Sequence, residues 1–124
     1  MKSRDGMIRL MRYQVEEKNR QVVQIEMMIA DFERRVADLE EQIRGEQERS
    51  GIHDAGHFAY PTFAKAAAQR RDNLSTSVDD LRIQLDAAKM EHDSALEDLK
   101  KSEAIAERDG VGKINEAAAI GQSG

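Results

Sequence analysis

A chain of 124 residues with 35% charged and 40% hydrophobic side chains, yet only three Phe, two Tyr and no Trp, has apolar surface for a narrow seam and too little for a thick globular core. Its 19 Lys and Arg against 24 Asp and Glu give a net charge of -5, which argues against nucleic acid or an anionic lipid surface as a partner. The absence of Cys removes disulfide frameworks and thiolate zinc sites and is compatible with a reducing compartment, while a single Pro among abundant Ala, Glu, Arg, Asp, Gln and Leu favours long helices over sheet.

Stepping from Ile8 alternately by three and four residues visits Ile8, Met11, Val15, Lys18, Val22, Ile25, Ile29, Phe32, Val36, Leu39 and Ile43, of which only Lys18 is not apolar. One register of this repeat (Ile8, Val15, Val22, Ile29, Val36, Ile43) is entirely β-branched. A strict seven-residue period predicts a helix over 6–49 that supercoils with a partner helix. Lys18 can lie along the seam with its ammonium in water. Apolar runs such as Met27-Met28-Ile29-Ala30 are cut by charge within a few residues, so neither a bilayer span nor a signal peptide is expected.

Ser50-Gly51 ends the first helix, and 50–61 is read as a turn. Pro61 suits the first turn of a second helix, where its missing N–H costs nothing. From there the same stepping visits Tyr60, Ala64, Ala67, Arg71, Leu74, Val78, Leu81, Leu85, Ala88, His92, Ala95, Leu99, Ser102 and Ala106, predicting a helix over 62–109. Gly110 and Gly112 are expected to end it, leaving 110–124 as a flexible tail. Each helix would be on the order of 65–70 Å long.

The charges choose between a hairpin and a parallel assembly. Residues 1–20 carry six basic and three acidic side chains, and 93–109 carry three and six; 36–50 carry two and five, and 61–72 three and one. Only an antiparallel hairpin sets each surplus beside its complement. The expected fold is therefore an all-α, two-helix antiparallel coiled coil over 1–109, and the chain alone is expected to be monomeric.

Little in the sequence points to chemistry. His53 and His57 are four apart beside Asp54, but flanking glycines disfavour a helix there and no third ligand converges, so solvated loop histidines are the simpler reading. His92 lies on the second seam with no nucleophile beside it. No phosphate loop or catalytic triad is legible, and neither an enzyme nor a cofactor is expected. The candidate residues are instead for partner binding. Phe58, Tyr60 and Phe63 cluster at the expected hairpin tip, either plugging the end of the seam or forming a knob, and Arg70 and Arg71 follow. Tyr13, Met27, Ile83 and Met90 fall on the helical position pointing away from the seam, where they are read as an apolar docking collar on a charged rod, with scattered surface methyls as the alternative.

The stretches Met1-Lys2-Ser3-Arg4-Asp5, Arg12-Tyr13-Gln14-Val15-Glu16-Glu17-Lys18, Tyr60-Pro61-Thr62-Phe63-Ala64 through Gln69-Arg70-Arg71-Asp72-Asn73-Leu74, and Leu99-Lys100-Lys101-Ser102-Glu103 with Glu107-Arg108 resemble the FliJ family. This is the small protein of the bacterial flagellar type III export apparatus, here in its alphaproteobacterial form. The resemblance covers about residues 1–109, with Tyr60 to Leu74 its most specific part. It implies a coiled-coil hairpin like the central stalk of rotary ATPases, located in the cytoplasm at the flagellar base beside the inner membrane. It further implies docking on the hexameric export ATPase, contact with the membrane-embedded export gate and escort of export chaperones. Members often extend the second helix further than Gly110. Two readings remain beside it: a generic structural or oligomerisation coiled coil, and a helical substrate chaperone without an ATPase partner.

Overall fold

The heptad-spaced side chains fold as two helices that return on each other as an antiparallel hairpin. In the computed structural model, which describes the backbone of residues 2–123 and the side chains of residues 3–110, α1 covers Lys2–Ser50 and α2 covers Thr62–Ser123. Helix α1 starts before residue 6, where the sequence reading began it, because Gly6 adopts helical backbone. Gly110 likewise lies inside α2 rather than ending it. A glycine in a helix costs about 1 kcal/mol relative to alanine but stops it only by turning left-handed, and among the described residues Gly51 alone has positive φ. Helix α2 runs on to Ser123 through the stretch expected as a tail, and the side chains of 111–124 lie outside the described residues.

The chain divides into two units, Val23–Ala87 and Met1–Val22 with Ala88–Gly124. In the first, the later part of α1 runs antiparallel to the earlier part of α2 across the turn. Its tightest packing lies next to the turn, where Ile43, Ala64 and Ala67 are buried and Leu39, Tyr60 and Ala68 close over them. Small side chains at 64 and 67 let the two backbones approach, and the interhelical distance follows from such contacts. Val78 and Leu81 are also buried, and Ile25, Ile29, Phe32, Val36, Leu74 and Leu85 are half-buried.

In the second unit, Ile8 and Val22 on α1 and Ala88 and Leu99 on α2 are buried, with Met11, Val15, Lys18, His92, Ala95, Ser102 and Ala106 half-buried between them. Lys18 keeps the expected compromise: its stem lies in the seam and Nζ sits 3.4 Å from Glu91 Oε2 on α2. Three pairs cross this unit, Arg4–Asp109, Arg12–Glu103 at 3.1 Å and Lys18–Glu91, all with the cation on α1. A fully buried Val, Leu or Ile contributes about 1.5–3 kcal/mol, against about 0.2–1 kcal/mol for an exposed ion pair. The seam therefore holds the helices, and the charges select their direction.

Candidate partner-docking surfaces

The turn is built by local hydrogen bonds. Gly51, at φ 73°, donates its N–H to Gln47 O at 2.9 Å, the left-handed glycine cap that closes a helix end. Ser50 Oγ accepts from Ile52 N at 3.1 Å. Asp54 then organises the tip, its Oδ1 accepting from Gly56 N at 2.9 Å and its carbonyl from His57 N at 3.0 Å. Pro61 immediately precedes the first helical residue, and its carbonyl accepts from Lys65 N at 3.1 Å, so it caps α2 rather than entering its first turn.

The three tip aromatics do different things. Tyr60 plugs the seam: it packs on the Ile43–Ala64–Ala67 cluster, and its hydroxyl accepts from Gln47 Nε2 at 3.1 Å. Phe58 is 97% exposed, its ring stacked on His57 with centroids 4.7 Å apart. His57 Nδ1 accepts from Ala59 N at 3.0 Å, which fixes the ring and with it the face on which Phe58 rests. Phe63 is 55% exposed on the first turn of α2.

Arg70 is exposed, whereas Arg71 is half-buried and turned onto its neighbour Asp72, with Nε and Nη2 each 3.1 Å from Oδ1. Among the described residues neither reaches a carboxylate of α1, so the charge complement expected across 36–50 and 61–72 is not made as ion pairs. The cross-helix pair in this unit is Glu33–Arg82, further from the turn. The two arginines differ in setting as well: Arg70 joins Arg35 on the rim of a groove of about 520 Å³ floored by Leu39 and Leu74.

Tyr13, Met27, Ile83 and Met90 all point outward, as expected of the outermost helical position, and all are more than half exposed. In the unit holding the two chain ends, Met90 lines a groove of about 450 Å³ together with Met11, Lys18, Glu91 and Asp98. The outward reading missed Met7, Leu10, Val23, Met28 and Ile105, which are also exposed. They sit at flanking helical positions, and a search of every non-seam position for apolar side chains would have found them.

His53 is an exposed turn residue, His57 is committed to the Ala59 amide, and His92 Nδ1 lies 3.1 Å from Asp93 Oδ1. Among the described residues no group of three His, Cys, Asp or Glu is placed to hold a metal ion, and no helix is long and apolar enough to cross a membrane. What the chain offers a partner is exposed apolar side chains set among charges, on helices that are packed along a seam within each unit. Comparison with family models, with curated proteins and with solved structures finds no match.

Proposed function

We propose that this chain is a non-enzymatic, stalk-like component of the bacterial flagellar type III export apparatus, of the FliJ type, acting in the cytoplasm at the flagellar base. In this reading the unit with the two chain ends docks on the hexameric export ATPase. The turn-proximal half, through Phe58, Tyr60, Phe63, Arg70 and Arg71, contacts the export gate, and the outward side chains receive export chaperones. Support comes first from the residues that resemble the family, above all Tyr60 through Leu74. It comes second from the hairpin itself, which such a role requires.

The observation that carries most weight is the one-directional set of cross-helix pairs, Arg4–Asp109, Arg12–Glu103 and Lys18–Glu91. They give one unit a cationic α1 and an anionic α2 edge, the two-signed surface that suits seating against a ring of subunits. The test is to add the purified chain to the export ATPase and follow hydrolysis and ring assembly. Faster hydrolysis with more hexamer is expected. An ATPase indifferent to the chain would leave the generic coiled coil or the chaperone as the better description.

A further inference from the structure

Gly45 sits in the middle of a helical turn of α1 for which its own chain gives no steric reason. A Cβ built there would meet only the Arg49 guanidinium, at 3.8 and 4.0 Å, which is ordinary contact. Alanine would be tolerated and would favour the helix. The missing side chain instead opens space on the surface: Gly45 lines a groove of about 500 Å³ with Asp38, Glu41, Glu46, Arg49 and Phe63. Phe63 presents an exposed ring to it. Glu46 is engaged by Arg49, and among the described residues Asp38 and Glu41 form no ion pair, although Asp38 also borders the neighbouring groove that Arg35 and Arg70 line.

We infer that this groove is a docking site for a basic, apolar segment of a partner protein, with an aliphatic stem passing over Phe63 where Gly45 leaves room and a cationic head between Asp38 and Glu41. Charge complementarity selects this occupant. The groove offers two unpaired carboxylates beside one aromatic ring, which suits a Lys or Arg side chain whose carbon stem and charged head are spatially separate. An acidic segment would meet Asp38 and Glu41 as like charges. The inference goes beyond the export reading and does not depend on the ATPase.

The probe is a synthetic amidated peptide of repeated Lys-Leu-Leu-Lys, titrated into the full chain while backbone amide shifts are followed by NMR. Peptides of repeated Lys-Gly-Gly-Lys and Glu-Leu-Leu-Glu serve as comparisons. The Lys-Leu peptide is expected to move amides of 38–49 and Phe63. Asp38→Asn with Glu41→Gln should weaken it roughly tenfold, as two exposed pairs would. Gly45→Leu and Phe63→Ala should each weaken it with helicity unchanged by circular dichroism. Equal binding of the Lys-Gly peptide, shifts centred instead on Asp79, Asp80 and Asp86, or full affinity in Gly45→Leu would overturn the site. So would the absence of binding, or the same amides moving with protein concentration alone, which would make a second copy the occupant.

Discussion

Gln47 Nε2 donates to Tyr60 Oη at 3.1 Å, joining the last turn of α1 to the residue just before Pro61. This bond lets Tyr60 bury its ring on Ile43 and Ala67 without leaving its hydroxyl unpaired, and it fixes the register from which both helices depart. Tyr60→Phe keeps the ring and removes the bond. It should lower stability by about 0.5–1.5 kcal/mol in a urea melt, the net worth of an ordinary hydrogen bond. Gln47→Ala should cost a similar amount, and the double variant little more than either alone. Additive losses would mean the two side chains act separately.

Two glycines flank the end of α1 and should respond with opposite sign. Gly51 holds φ 73°, so Gly51→Ala forces a Cβ into left-handed backbone and should destabilise by about 1–2 kcal/mol. Gly45 is helical and open, so Gly45→Ala should stabilise by about 0.5–1 kcal/mol through backbone propensity. Thermal unfolding of both variants against the parent checks the pair. A stabilising Gly51→Ala would remove the capping role assigned here to Gly51.

The seam was legible because a seven-residue period leaves few alternatives. Each position of the two steppings, from Ile8 to Ile43 and from Tyr60 to Ala106, is buried or half-buried, including the polar Lys18, Arg71, His92 and Ser102. Composition over a stretch also foretold the cation-on-α1 pairs at Arg4, Arg12 and Lys18. The same arithmetic failed near the turn. A count of charges cannot tell that Arg71 will satisfy itself on adjacent Asp72, since that depends on rotamer and on the distance its stem would need to cross. Nor does period say which tip aromatic turns inward. Tyr60 does because Gln47 can donate a hydrogen bond to its hydroxyl, while Phe58 stays on His57, outside. Gly45 was invisible as a site feature because an absent side chain has no signal until the groove it opens can be seen.

Ala64 is wholly buried and Ala67 nearly so, in the cluster with Ile43 next to the turn. A larger side chain there has no space to enter. Ala64→Leu should therefore destabilise by about 1–3 kcal/mol despite adding apolar surface, because overpacking forces the backbones apart. Leu99→Ala, in the other unit, should lose about 2–5 kcal/mol by the opposite route, leaving a cavity. Chemical denaturation measures both. An Ala64→Leu variant as stable as the parent would show that the helices near the turn separate easily.

The Arg12–Glu103 pair tests whether charge directs the hairpin or merely decorates it. Both side chains are near half-exposed, 58% and 42%, so their attraction is screened and small. Reversing Arg12→Glu should place like charges across the helices and destabilise by no more than about 1 kcal/mol at low salt. Glu103→Arg in the same chain should restore what was lost, since the exchanged pair keeps its geometry and only changes sign. Raising salt to about 1 M, where the Debye length falls to about 3 Å, should shrink the coupling toward zero. The seam should be untouched by any of these changes, because Ile8, Leu99 and their neighbours bury the same area in all of them. A coupling that persists undiminished in high salt would instead assign the pair a packing role, through the carbon stem of Arg12, and would move the choice of helix direction from charge to shape.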